Sequence, residues 1–397
     1  MRFDVATNFE DDLIERIAEF KTVKSVYGKL GADIVGGGRP TIVLPDISRK
    51  RIRQHIEICH KYGIEFNYLL NASCMDNREL VAGSHREIMG LVKQVKEDGV
   101  DSVTVGSPIM LTMVKEQFPE LKVATSIFMN VNTISKIKHL EALGANEITL
   151  DHNFTRNFPL LNSAASISKK DLRLIANNVC LHECPYAIPS HANLLAHSSQ
   201  SKHETKGFTL DVYTLLCGLE KLKDPAEFIM SDWIRPEDVK HYDLKNITLK
   251  ITDRARTTDW LVKAVKAYSE RKYNGNLFDI INYIGNNGYA QLHKGLIIKG
   301  ALTGKAKVSE LLKLEKATFL PEVYVENQAL DGFLEHFKQS PCEGKTCYTG
   351  TKDYGNCRFC YDTAQKTVRI NVNERQEAIS LAEEVVESIN SGRMFGK

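Results

Sequence analysis

Nine cysteines occur in the chain, and seven fall into two tight sets: Cys180, Cys184 and Cys217, then Cys342, Cys347, Cys357 and Cys360. The first reads Cys180-Leu-His-Glu-Cys184-Pro185 with Cys217 further on; the second ends in Cys357-Arg358-Phe359-Cys360. The N-terminal residues hold no apolar export stretch, so the thiols are expected to stay reduced, and clustered cysteines then point to metal rather than disulfides. Thiolates at such spacings suit zinc or an iron–sulfur cluster, which both want several soft ligands converging on one point. The Cys-x-x-Cys end of the second set fits either. Cys59, inside the helical run Arg51–Tyr62, reads as buried packing, while Cys74 follows a strand end and is left open.

Other reactive side chains gather around these sets. His182, His191, His197 and His203 crowd the first one. His191 is the candidate ligand or acid–base group, poised near neutral pH, and His197 and His203 read as solvated loop residues. Asp151 and His152 end a strand and form a candidate general acid/base pair. Lys250, Asp253, Arg254 and Arg256 gather further on; Lys250 and Arg254 can hold a carboxylate or phosphate by charge-assisted hydrogen bonds, with a surface ion-pair network as the competing reading. Asn71 and Ser107 are placed to orient substrate.

These residues need elements to carry them. Short apolar runs recur at Arg2–Thr7, Lys24–Gly28, Glu65–Asn71, Ser102–Gly106, Lys122–Ser126, Glu147–Asp151, Leu172–Asn178 and Ile247–Thr252. Helical patterns such as Arg51–Tyr62, Asn77–Asp98, Pro108–Phe118 and Asn132–Leu143 lie between them. Strand–helix alternation implies parallel strands with right-handed crossovers. Eight units predict a (β/α)8 TIM-like barrel, with a doubly wound open sheet as competitor. The strands finish in small or polar residues, at the edge where barrel enzymes place their working groups, and Cys180 follows the seventh strand there. Cys217 lies in a long seventh-to-eighth connection, a length that suggests function. The expected organisation is a barrel over 1–271, a helical and irregular extension over 272–339, and a small Cys-rich α+β module over 340–397 with a strand at Thr367–Val372 and a helix from Glu374 to Asn390.

Composition narrows the partners. With 43% hydrophobic and 26% charged residues the chain is expected to be soluble and able to bury a large core. A formal charge of +2 argues against a general phosphate-backbone binder, while a local basic patch, and with it RNA, stays open. No apolar run reaches the roughly 18 residues of a membrane span, so a cytoplasmic chain is expected. Neither a His-Glu-x-x-His helix nor a Gly-x-Ser-x-Gly elbow occurs, and no nucleophile–base pair is evident.

Read together, Asn178-Val-Cys180 with Cys184-Pro185, the later Cys217, Ile234-Arg235-Pro236-Glu237-Asp238 and Lys250-Ile251-Thr252-Asp253-Arg254 resemble the peptidase U32 family, more closely an anaerobe-rich branch called collagenase-like proteases. Tyr27-Gly28, Phe66-Asn67-Tyr68-Leu69-Leu70-Asn71 and Tyr273-Asn274-Gly275-Asn276-Leu277 fit the same branch. Relatives carry Lys-Ile-Glu-Gly-Arg on the eighth strand; here Thr252 and Asp253 depart. The resemblance implies a barrel with a cysteine-bound [4Fe-4S] cluster, and an oxidoreductase like the oxygen-independent hydroxylases that act on a quinone precursor or on RNA. A U32-type peptidase, or an RNA-modifying hydroxylase or assembly partner, is the alternative. Only Cys180, Cys184 and Cys217 match the family's ligands, since the Pro236–Val239 segment has no cysteine. Either the fourth iron is open to substrate, or His182, His191 or a C-terminal thiol completes the shell. Cys342, Cys347, Cys357 and Cys360 would then bind a second [4Fe-4S] cluster or zinc. A small-molecule substrate is expected, with room for an electron-donor protein and for a homo- or hetero-oligomer.

Overall fold

A computed structural model describes residues 1–286, 305–342, 347 and 357–396. Parts of the expected extension (287–304) and of the four-cysteine module (343–346, 348–356) lie outside the described residues. Eight parallel strands close a barrel in chain order: β1 Arg2–Ala6, β2 Val23–Gly28, β3 Glu65–Leu70, β4 Ser102–Val105, β5 Lys122–Thr125, β6 Glu147–Thr149, β7 Asp171–Ile175 and β8 Ile247–Ile251. β8 returns beside β1, with Lys250 opposite Asp4 and Ile251 opposite Val5. Closure leaves no exposed strand edge, which rules out the open sheet.

Most strands stop one to three residues before the expected C-terminal bound, because the polar residues there leave the ladder to bond elsewhere. Ser126 accepts from the Phe128 N–H, Asp151 from Asn153 N–H, and Asn177 donates to the Thr252 carbonyl at 2.7 Å. The helix expected from Asn77 starts at Ala82, since Asp76 and Asn77 hold left-handed backbone (φ 53° and 57°) that cannot begin an α-helix. The expected strand Thr367–Val372 is corrected. Helix Phe359–Thr367 runs through Thr367, and only Val368–Arg369 pairs, antiparallel with Tyr324–Val325. The terminal helix spans Val372–Asn390.

Helix Thr258–Glu270 ends at Arg271, whose φ is 55°. The chain then turns back over the barrel: Asn177 also donates to Ile280 O, and Arg256 donates to Asn282 Oδ1 and Tyr283 O. One continuous apolar core runs from the strands through Phe278, Phe333 and Ala364. A smaller one joins helix Val212–Lys223, inside the long β7–β8 connection, to helices Val308–Thr318 and Val372–Asn390. The described C-terminal residues dock around Arg156. Its guanidinium lies about 5 Å from the rings of Trp233, Phe333 and Phe337 and donates to Ile229 O at 2.7 Å. Among the described residues, no helix is long and apolar enough to cross a membrane.

Candidate active site at the barrel mouth

A cavity of about 490 Å³ opens where the strands end, within the roughly 300–1,000 Å³ that small-molecule sites occupy. Its wall includes Asn71, Asp151, His152, Cys180, Cys184, His191, Cys217, Lys250 and Arg254. Strands and loops far apart in the chain therefore deliver most of the expected site residues to one space.

Cys180 and Cys184 sit on the loop after β7, and Cys217 on helix Val212–Lys223. Asn178 Nδ2 donates to Cys180 Sγ at 3.0 Å and Lys221 Nζ to Cys217 Sγ at 2.6 Å. Burial pushes both loop thiols up; Cys184 reaches about 11, with Cys180 and Cys217 adding negative neighbours. These sulfurs feel one another, and a cation among them would relieve the repulsion of their thiolates. Cys342, Cys347, Cys357 and Cys360 also converge: Cys347 shares a thiol hydrogen bond with Cys342 and is pushed up by it, by burial and by the other two thiols. Burial, then Cys342 and Cys357, raise Cys360 to about 12 against the pull of Arg156. Among the described residues, the donor atoms lying within 4.8 Å of one another as a group of three belong to Cys74, Asp76 and His197, not to either cysteine set.

The two sets meet at His182. Its Nε2 lies 3.9 Å from Cys342 Sγ and its Nδ1 3.3 Å from Asp232 Oδ1. Burial works against a charged ring, but Asp232 and Cys342 outweigh it and hold His182 well above the ordinary histidine range. The sequence shows no nucleophile–base pair; the fold assembles this one from residues 160 positions apart.

The cations of β8 face the cavity. Lys250 Nζ lies 3.8 Å from the centre of the Tyr27 ring. Burial, then Arg173, lowers the lysine to about 7, and burial lowers Arg254 to about 10. Arg254 Nη1 is buried with no hydrogen-bond partner. Among the described residues, neither cation has a carboxylate at ion-pair distance, whereas Asp253 beside them is held by Arg39 Nε at 3.0 Å. Asn71 Oδ1 is a second buried, unpartnered atom in this wall.

Asp151 and His152 both line the cavity, but the structure does not join them. Asp151 caps the following turn, and His152 Nε2 meets Asn178 Nδ2 at 3.4 Å. His191 instead lies 3.1 Å from Asp211 Oδ1. Burial raises that carboxyl, yet His191 and Thr214 bring it down to about 2. Ser107 does not line the cavity; it caps helix Pro108–Gln117 through the Met110 N–H. Sequence reasoning missed Arg39, Lys221, Asp211 and Asp232. Lys221 stands one helical turn from Cys217, a legible spacing. Arg39 follows Gly36-Gly37-Gly38, where a Cβ on Gly38 would meet Phe128 at 2.8 Å, so the glycines mark close packing against the mouth.

Residues 42–157 match the model of peptidase family U32. An uncharacterised protease of Methanocaldococcus jannaschii is 25% identical over 338 residues, which is 85% of this chain and 87% of the relative. Among solved structures, that of the U32 peptidase Mk0906 is similar with a TM-score of 0.48 at 17% identity, over 64% of this chain and 93% of its own. A chitinase from Rhizomucor miehei has a TM-score of 0.37 at 9% identity, over 68% of this chain and all (100%) of its own. The family model and the aligned protease together support the family that the motifs resemble, peptidase U32.

Proposed function

We propose that the chain is an iron–sulfur oxidoreductase of the oxygen-independent hydroxylase type, acting on a small anionic molecule at the barrel mouth. The observation that carries this reading is one cavity walled by Cys180, Cys184 and Cys217, by the half-buried Lys250 and by the buried Arg254. The donor set suits an iron–sulfur cluster: all three donors are soft sulfur, and Cys184 has both Cys180 and Cys217 as charged neighbours. A [4Fe-4S] cluster held there would supply one-electron chemistry beside the bound substrate.

The chain's own residues supply the rest. Lys250 and Arg254 hold the substrate's carboxylate or phosphate, their desolvation making each charge-assisted bond stronger than in water. Asn71 Oδ1 accepts from a substrate hydroxyl. His191, fixed by Asp211, and Lys250, whose Nζ titrates near 7, are the groups positioned to take or give a proton. The four C-terminal cysteines would hold a second centre; a [4Fe-4S] cluster there would supply electrons to the mouth, whereas zinc would be structural and leave that role to a donor protein.

Anaerobic purification with iron and acid-labile sulfide analysis tests the reading, repeated on Cys180→Ala and Cys357→Ala. Loss of about four irons from each variant is expected for two clusters, and from the first alone for a zinc-bound tail. Wild-type protein without iron or sulfide ends the proposal.

A hydrolytic reading rests on Cys342, His182 and Asp232, which stand in nucleophile–base–orienting order, and on the protease name of the curated relative. Against it, Cys342 does not line the cavity and is engaged by Cys347. Casein cleavage that survives chromatography and vanishes in Cys342→Ala would favour this alternative.

A further inference from the structure

Outside the cavity, on the rim between the β3 loop and the β7–β8 connection, three donors of different chemistry meet. Cys74 Sγ lies 3.8 Å from Asp76 Oδ1. His197 Nε2 lies 3.2 Å from the same oxygen, and the three ligand atoms fall within 4.8 Å of one another. We propose that Cys74, Asp76 and His197 form a binding site for a divalent transition-metal ion of the zinc class, with a fourth position open to solvent.

The distances agree with such a site. Ligand bonds of about 2.0–2.3 Å in tetrahedral array place neighbouring donors roughly 3.3–3.8 Å apart. A thiolate, an imidazole and a carboxylate form a borderline-soft set that suits zinc. The His197 nitrogen is the more telling atom. It is buried and lies at ion-pair distance from a carboxylate, yet among the described residues it makes no hydrogen bond. With no hydrogen bond fixing its tautomer, Nε2 is free to turn its lone pair to an ion, as a metal ligand does.

The surroundings hold the donors in place. His203 Nδ1 accepts from the Thr205 N–H at 3.2 Å, so a neutral ring carries its proton on Nε2, which stands 3.5 Å from Asp76 Oδ2. That leaves Oδ1 for the ion, with His203 as the outer partner that orients the carboxylate. The His197 and His203 rings stack with centroids 4.3 Å apart. Buried Gln200 donates to Cys74 O at 2.7 Å and Val35 O at 3.0 Å, and Ser73 donates to Asn193 at 2.7 Å. An ion here would clip the loop bearing Asn71 to the helix Ala192–Ser198 next to His191, tightening two walls of the mouth.

The test reads Cys74 itself, so it does not depend on the fate of the other two cysteine sets. The full chain is stripped with chelator, given zinc alone, and alkylated, and labelling is followed by peptide mass mapping. Zinc is expected to slow alkylation of Cys74 in wild type and in Cys357→Ala, and not in His197→Ala or Asp76→Asn. His203→Ala should keep the protection but need about 10–100-fold more zinc. Equal labelling of Cys74 in wild type with and without zinc overturns the site.

Discussion

The barrel interior contains two charged regions that resemble each other in composition and differ in how they are compensated. Toward the strand starts, Arg173 lies between two carboxylates, pairing with Asp4 Oδ2 at 2.6 Å and with Glu147, while Lys24 lies 3.4 Å from Glu147 and Ser25 donates to Asp4 at 2.6 Å. Burial pushes Asp4 up, but Arg173, Lys24 and Ser25 outweigh it and hold its carboxyl below the ordinary range. At the mouth, Arg254 is as deeply buried and Lys250, opposite Asp4, is half-buried, and neither has a carboxylate at ion-pair distance among the described residues. The first region pairs its cations with carboxylates, although burial still holds Glu147 above the ordinary range. The second has no such ion pairs, which is the feature that supports the proposed anionic substrate. A buried cation left without its anion is costly unless function retains it.

The largest effect that sharpens this contrast is on stability. Arg173→Ala strands two buried carboxylates and is expected to cost about 3–5 kcal/mol, read from urea midpoints. Arg254→Gln removes a cation that has no ion-pair partner and should cost far less. Equal losses from the two variants would erase the distinction.

Next comes ligand binding. Lys250→Met should leave stability unchanged or raised, since it removes a desolvated charge, yet weaken binding of inorganic phosphate or a simple dicarboxylate about 10- to 150-fold, the worth of one bond to a charged group. Calorimetric titration measures it. Undiminished affinity would place the anion elsewhere.

The pH dependence follows with a fixed sign. Burial brings Lys250 from its ordinary 10.5 to about 7, so the ammonium is present below that value and lost above it. Anion affinity should therefore fall as pH rises through about 7, and Lys250→Met should flatten that fall. Stability moves the opposite way. Between about 7 and 10.5 the unfolded chain binds this proton and the folded one does not, so the lysine's contribution makes the fold more stable as pH rises. Affinity that climbs with pH would contradict the assignment.

How much of this was legible in the sequence depends on the range of the interaction. The eight strands were readable because each is a short apolar run between helical patterns, and closure followed from their number. Cys180, Cys184 and Lys250 were readable because they lie at or just beyond strand ends, whose direction the barrel fixes. Contacts made across the fold were not. Nothing near His182 in sequence announces Cys342, and nothing near Cys74 announces His197; both pairs exist only because the β7–β8 connection folds back over the mouth. Asp151 and His152 were legible as strand-end residues of the cavity wall, while their partners, the Asn153 N–H and Asn178, were not.

Ser107 gives the smallest test and isolates local from long-range meaning. It follows β4 at the active edge, which suggests substrate, but its hydroxyl accepts from the Met110 N–H and Pro108 opens the helix behind it. Removing a helix cap costs about 1 kcal/mol, so Ser107→Ala should lower the unfolding free energy by that amount, read as a lower urea midpoint. Anion affinity, and any activity found with a substrate, should stay at the wild-type level. Ser107→Asp, which retains a capping oxygen, should recover most of the stability. Restored stability with lost binding would mean that the serine reaches into the mouth after all, and that strand-end position outweighs capping at this site.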